Sequence, residues 1–340
     1  MVLLMYSLHL GGSDWFASFI GAAVRHELHA YFYLTTLKCN FPFQSVLFRQ
    51  TNIVWVFFVA SQAAGPILIQ GAQEARMAAN NGPIKFSLTP FGQILEVIEG
   101  IGLLLKSPFS FLGLLGRILK TCFGYIICGL SFVAFVILNE GIVVGDRQAH
   151  QVVPHPTQIL YFCAFSLAFS APYAISRILP FVSFCRKHWI WLSLIVFVVV
   201  LTIKECTIAH PYLLADNRHY TFYIWRRVIT RTEWTPFAIT PIYVFGGFCV
   251  LYSLRRAELE FQLAFPFCVL VNLVPQYLLE FRYFVIPFIL YRLQLRPQVW
   301  WKLLLELMLF VVINAITIYL FLFKPFHWPH DAENIQRFMW

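Results

Sequence analysis

Charge is what this chain has least of: Asp, Glu, Lys and Arg make up only 12% of 340 residues, against 59% hydrophobic and 18% aromatic. With a mean hydropathy of +0.70, such a composition excludes an ordinary soluble domain. The signatures of soluble-cofactor chemistry are missing too. No Walker loop and no G-x-G-x-x-G turn occurs, which argues against ATP or a nucleotide sugar as the donor. The eight cysteines form no C-x-x-C and lie mostly in apolar runs, so they read as small hydrophobes rather than zinc ligands or a disulfide framework. His26-Glu27-Leu28-His29 falls one residue short of the zincin spacing, so its imidazoles lack the i,i+4 geometry for one metal. No metal and no cofactor is expected. Met1–Leu10 lacks a basic n-region, and no N-X-S/T acceptor occurs anywhere, so sidedness must be read from charge.

What is present in abundance is long apolar runs. In lipid, backbone polar groups are satisfied only within a helix or a closed barrel, so these runs predict an all-α, polytopic transmembrane helix bundle of about eight spans. The spans fall near Ile53–Gln70, Thr121–Leu138, Gln158–Ser176, Trp189–Cys206, Pro236–Leu254, Phe261–Pro275, Gln276–Leu293 and Leu303–Phe323. Asp14–Leu34 is a weaker candidate. Phe91–Leu119, interrupted by Glu96, Glu99, Lys106 and Pro108, reads as interfacial or re-entrant. Phe261–Pro275 would rise only about 22 Å, short of a crossing.

Alternation sorts the loops. Residues 71–120, Arg177–His188, Arg255–Glu260 and Arg292–Lys302 are rich in Lys and Arg, and the positive-inside rule assigns them to the cytosol, with 71–120 partly interfacial. The opposite, non-cytosolic set holds 139–157, 209–235, the Glu280–Arg282 turn and the tail Lys324–Trp340. The net charge of +9 thus serves topology and lipid headgroups, not nucleic acid.

Every polar constellation falls in or beside that second set. His210–Val228 concentrates Asp216, Asn217, Arg218, His219, Arg226 and Arg227 beside Tyr220, Phe222, Tyr223 and Trp225. Charge at membrane depth is costly, so such a cluster is a functional-site hypothesis; the structural alternative is a helix N-cap at Asp216 or Asn217. The loop Asn139–His150 carries Asp146, Arg147 and His150, suited to phosphate or sugar hydroxyls, or to a local Asp146–Arg147 pair. Glu280 and Arg282, two apart, point to different faces of a helix, so each needs a partner elsewhere in the bundle or an aqueous pocket to line. Arg49 stands at the membrane edge, ready to anchor an anionic headgroup, with Thr51 and Asn52 as caps of the first strong span. The tail Asn334–Trp340 reads as a short amphipathic segment lying at the interface through Phe338 and Trp340.

FRQTNIVW at 48–55, GIVVGDRxxH at 141–150, LLADNRHYTFYIWRRV at 213–228, LLEFRYFVIPFILYRL at 278–293 and IQRFMW at 335–340 form an ordered set. Together they resemble the eukaryotic dolichyl-phosphate-glucose-dependent α-1,2-glucosyltransferases of the endoplasmic reticulum, over residues 47 to 340. The resemblance implies a C-type glycosyltransferase fold, a multi-pass membrane location and a lumenal active site. It implies dolichyl phosphate glucose as donor and a diglucosylated, dolichyl-diphosphate-linked oligosaccharide as acceptor, for protein N-glycosylation. Family members carry an acidic D-E-x-F-H motif in a first lumenal loop; before Leu47 this chain has only Asp14 and Glu27, in unrelated contexts. Residues 1–46 therefore read as an atypical N-terminal segment, and the chain as the C-terminal two-thirds of such an enzyme.

Transfer from a β-linked phosphate to an α-linkage inverts the anomeric centre, implying one in-line displacement with a carboxylate taking the acceptor's proton. Asp216 is the first candidate for that carboxylate and Asp146 the second. Arg218, His219, Arg147 and Arg282 are expected at phosphate, with Asn217, His150 and Arg49 as further binding residues. Tyr220, Tyr223 and Trp225 are expected to stack on sugar. Two alternatives stand beside this reading: an N-terminally truncated, inactive membrane binding protein, and a polytopic transporter. A transporter should carry its polar residues at mid-span, where the only acidic residues here are Glu306 and Glu205.

Overall fold

The computed structural model describes residues 45–46, 49–84, 89–143, 152–295, 299–328 and 331–339. Asp146, Arg147 and His150, the histidines at 26 and 29, and Trp340 lie outside the described residues. Ten principal helices follow in order: α1 (Ile53–Ala78), α2 (Pro90–Leu105), α3 (Pro108–Leu138), α4 (Thr157–Phe169), α5 (Ile178–Lys187), α6 (Trp189–Cys206), α7 (Thr240–Leu254), α8 (Leu259–Leu273), α9 (Arg282–Leu293) and α10 (Trp300–Phe323). Among the described residues, five helices are long and apolar enough to cross a membrane, or six if one bent pair counts as a span. Large apolar side chains stand exposed on them, as on Pro108–Leu138, where Phe123 is 60% and Leu130 65% exposed. The chain is a polytopic helical membrane protein, and among the described residues fewer helices are full-length spans than the apolar runs suggest.

Three differences account for the count. The stretch expected as the span Gln158–Ser176 ends its helix at Phe169 and turns through 87° into Ala171–Lys187. The Ser170 hydroxyl donates to the Ser166 carbonyl, and Pro172 opens the next turn, so the i→i−4 ladder is interrupted here. Phe261–Pro275 and Gln276–Leu293 become α8 and α9, of 15 and 12 residues, both short of a crossing. Conversely, α3 starts at Pro108 rather than Thr121, because proline is accommodated in a helix's first turn.

The chain divides into two compact units. One comprises His26–Arg147 and Arg256–Val271. Small residues bring its helices together: a Cβ on Gly100 would lie 2.5 Å from the Ala72 carbonyl oxygen, and one on Gly71 2.8 Å from Leu114. Ala72, Ile84, Val97 and Leu259 form its core. The Glu96 and Glu99 carboxylates that interrupt the apolar pattern are answered by buried Arg76, which pairs with Glu99 and approaches Glu96 to 3.9 Å. Arg49 opens the 3-10 turn Gln50–Asn52 of this unit. Neither Thr51 nor Asn52 caps α1; the Asn52 amide donates to the Ser45 carbonyl instead.

The other unit holds Met1–Arg25, Gln148–Arg255 and Asn272–Trp340. Its core is aromatic, with Phe165 packing against Phe169, Phe281, Phe284 and Phe288. Helices α4 and α7 approach so closely that a Cβ on Gly246 would lie 2.4 Å from the Cys163 carbonyl oxygen. At the bend, Tyr173 joins a buried network in which Arg292 Nε and Nη2 donate to the Glu306 carboxylate, each at 2.6 Å. The Tyr173 hydroxyl also accepts from Arg292.

The tail departs from the expected interfacial segment. Strand β1 (Phe326–Trp328) pairs antiparallel with β2 (Asp331–Gln336), Phe326 opposite Gln336. Phe338 is buried, not laid on a surface.

Candidate functional site

One end of this second unit gathers the ends of several helices. The Thr157 hydroxyl at the start of α4 donates to the Cys206 carbonyl at the end of α6, at 2.7 Å. The His155 amide donates to the Val274 carbonyl at 2.8 Å, and the Gln158 amide to the Gln276 and Leu278 carbonyls, both at 3.1 Å. His210 packs on Tyr277 at 4.4 Å between ring centroids. Tyr220 shares a hydrogen bond with Thr317 near the end of α10, at 2.9 Å. Residues 155–158, 206–220, 274–278 and the tail thus meet in space within this unit.

The polar cluster is built around Asp216. It follows the short helix Pro211–Ala215, which the His210 Nδ1 caps by accepting from the Tyr212 amide at 3.0 Å. The next helix, Tyr220–Ile224, has His219 at its N-cap and no side-chain cap hydrogen bond. Asp216 and Asn217 are therefore not helix N-caps; Asp216 closes the preceding helix as its C-cap. Asp216 instead accepts from the Arg218 backbone amide at 3.0 Å, from Arg218 Nε at 2.9 Å and from Nη2 at 2.7 Å. The His219 Nε2 stands 3.5 Å from the same carboxylate. Partial burial alone would raise the Asp216 carboxyl, but the hydrogen bonds and charge of Arg218 outweigh it and hold the group below its ordinary value. Arg218 is correspondingly raised, chiefly by its hydrogen bond to Asp216.

The hairpin tail forms the wall of this cluster. The Arg218 guanidinium lies 4.9 Å from the Trp328 ring centroid, and its Nη1 donates to the Gln336 side-chain oxygen at 3.4 Å. Trp328 Nε1 donates to the Asn217 side-chain oxygen at 2.7 Å. The Met339 amide donates to the Arg218 carbonyl at 2.6 Å. Phe338 packs edge-on against Tyr220 at 4.7 Å and against Tyr223 at 6.1 Å. Sequence reasoning named neither Trp328 nor Gln336 as a site residue, although Gln336 lies in the motif IQRFMW at 335–340.

Asp216, Asn217, Arg218, His219, Tyr220 and Tyr223 are thus brought together as expected. Trp225 is buried and offers no face to a sugar. Arg282 opens α9, while Glu280 lies in the segment before it, so the two pair with each other rather than with distant partners. The Arg282 guanidinium also lies 5.6 Å from the Tyr283 ring centroid. Arg49 belongs to the first unit and is described there. Among the described residues no group of three His, Cys, Asp or Glu side chains converges as a metal ion requires.

Comparison with known proteins follows from these residues. The model of the DIE2/ALG10 family matches residues 1–293, including the N-terminal segment set apart above. A Homo sapiens protein named Dol-P-Glc:Glc(2)Man(9)GlcNAc(2)-PP-Dol alpha-1,2-glucosyltransferase is 38% identical over 306 residues, covering 88% of this chain and 62% of that protein. Proteins of the same name from Mus musculus, 38% identical with 88% and 62% covered, and Arabidopsis thaliana, 32% identical with 100% and 75% covered, are also similar. This chain thus spans 62% of the length of its human relative. No solved structure matches. The chain belongs to the DIE2/ALG10 family.

Proposed function

We propose that this chain is a membrane glycosyltransferase that moves glucose from dolichyl phosphate glucose onto the diglucosylated, dolichyl-diphosphate-linked oligosaccharide, in an α-1,2 linkage. The observation that carries the reading is the Asp216–Arg218 pair, walled by Trp328 and the Tyr220–Phe338 stack, in a chain of this family. Carboxylate, guanidinium, amide and aromatic ring are the groups that recognise sugar hydroxyls and faces. Their place at one end of the spanning helices suits a substrate whose headgroup is tethered to the bilayer. The charge bias of the loops supports a lumenal site, and the family supports residence in the endoplasmic reticulum membrane.

In the reaction, an acceptor hydroxyl oxygen attacks the anomeric carbon from the face opposite the phosphate. The new carbon–oxygen bond forms as the bond to phosphate breaks, and dolichyl phosphate leaves with the electron pair. Asp216 grips the attacking hydroxyl and takes its proton late. A carboxylate of low basicity suffices, because the oxygen becomes strongly acidic as its new bond forms. Arg218, held by Asp216 and Gln336, and His219 stabilise the leaving phosphate. Asn217 is fixed by Trp328 to receive a hydroxyl, and Arg282 offers further cationic charge. Asp146 remains the second proposed carboxylate, and Arg147, His150 and Arg49 remain proposed substrate-binding residues.

The test is transfer itself. Membranes holding the chain should be given dolichyl phosphate carrying labelled glucose, together with the diglucosylated lipid-linked acceptor. Label in an α-1,2-linked terminal glucose supports the reading. Intact acceptor in membranes with normal amounts of the protein refutes it and leaves a binding protein.

A further inference from the structure

Among the described residues five arginines pair with carboxylates: Arg76 with Glu99, Arg117 with Glu74, Arg218 with Asp216, Arg282 with Glu280 and Arg292 with Glu306. Arg226, Arg227 and Arg231 have no carboxylate within ion-pair distance among the described residues, and all three are exposed. Aromatic rings support two of them instead: Arg226 lies 6.0 Å from the Phe222 centroid and Arg227 5.4 Å from that of Tyr223. The backbone presents them deliberately. Residues Trp225–Ile229 form a π-turn, with Trp225 and Ile229 buried as anchors and Arg226, Arg227 and Val228 turned outward. On the same segment Val228 is 46% and Trp234 78% exposed, so apolar side chains as well as cations are presented there. Tyr223 links this patch to the Asp216 cluster, because it also packs on Phe338.

We propose that Arg226, Arg227 and Arg231 form a diphosphate site for the polyprenyl-linked acceptor, with Val228 and Trp234 against the first isoprene units. The inference rests on the lipid-linked-substrate reading above and assigns it a second subsite. Three guanidinium forks match the several negative charges of a diphosphate, whereas a monophosphate donor needs fewer. Bulk anionic phospholipid is the competing source of phosphate. It is concentrated in cytoplasmic leaflets, and these arginines follow the 209–220 segment on the opposite, lumenal side of the proposed topology.

The full chain in phosphatidylcholine nanodiscs would be titrated with a short-chain polyprenyl diphosphate, and separately with the matching monophosphate. Replacing the three arginines by glutamine should weaken diphosphate binding about tenfold or more, while three lysines should lose only about threefold. Binding unchanged by the glutamines overturns the site. So does phosphatidylserine, doped into the nanodiscs, competing as well as the diphosphate. Should the glutamine triple fail to purify, Arg231→Gln alone carries the test, with a loss of about threefold expected and no loss overturning it. Arginine-dependent diphosphate binding without glucosyl transfer would sink the proposed reaction and leave this subsite standing; undiminished transfer by the glutamine triple would do the reverse.

Discussion

Arg218 closes a two-armed grip on Asp216, Nε to one carboxylate oxygen at 2.9 Å and Nη2 to the other at 2.7 Å. Two residues apart, they meet because the backbone between the short helices at 211–215 and 220–224 turns back on itself. Such a fork fixes geometry as well as charge, and lysine cannot reproduce it. Arg218→Lys should therefore cut transfer by about tenfold to a hundredfold while protein abundance stays normal, measured as turnover per mole of purified enzyme.

The same pair sets a pH limit. The folded-state carboxyl of Asp216 lies below its unfolded value, so its stabilisation is fully present above the unfolded pKa of about 3.9 and is lost as pH falls through the folded value. Chemical shift of the Asp216 carboxyl carbon should stay flat from about pH 8 to pH 5. A titration centred above pH 5 would show that Arg218 does not hold it in solution.

Trp328 serves Arg218 as a stacking face and Asn217 as a hydrogen-bond donor. Trp328→Phe keeps the first role and loses the second; Trp328→Ala loses both. Turnover should fall in the order wild type, Phe, Ala, with the stacking step worth about 0.5–1 kcal/mol of transition-state binding. Equal losses for Phe and Ala would mean that stacking contributes nothing.

The Arg292–Glu306 pair is almost wholly buried, with side chains 1% and 8% exposed. Removing one partner strands the other, so Glu306→Leu should destabilise by about 3–5 kcal/mol, while Arg292→Met with Glu306→Leu should recover most of it. Thermal unfolding in detergent reads both. Transfer by the double variant should persist, since this network pins the bend at Tyr173 and is no part of the proposed chemistry.

Neighbouring glycines offer a sharper contrast. A Cβ at Gly246 would meet the Cys163 carbonyl oxygen at 2.4 Å, whereas one at Gly247 has only the Cys163 Sγ at 3.6 Å. Gly246→Ala should force α4 and α7 apart at a cost of about 1–3 kcal/mol, and Gly247→Ala should be neutral or mildly stabilising. Equal melting temperatures for the two variants would contradict the close approach.

These relationships divide by how far the information lies along the chain. Long apolar runs announce their helices because lipid leaves the backbone no other choice, so α1, α6, α7 and α10 are legible from hydropathy. The bend at Ser170 is not, since a serine and a proline suit either a continuing or a broken helix until their partners are known. Glu96 and Glu99 look like interruptions of an apolar stretch; Arg76, far earlier in the chain, answers both carboxylates. Composition marks Asp216–Tyr223 as a site, yet cap propensity misassigns Asp216, because a local arginine competes better than the helix amides. Trp328 and Gln336 escape notice for a simpler reason. They reach Asn217 and Arg218 from more than a hundred residues away, and nothing local to the tail foretells that contact.

The most direct measurement is the turnover of Asp216→Asn, which keeps the side chain's shape and removes its charge, against wild type with both lipid-linked substrates saturating. Glucosyl transfer at or below about one-hundredth of the wild-type rate, from a protein that melts within a few degrees of it, is the result expected. Wild-type turnover from that variant would place the chemistry on some other carboxylate.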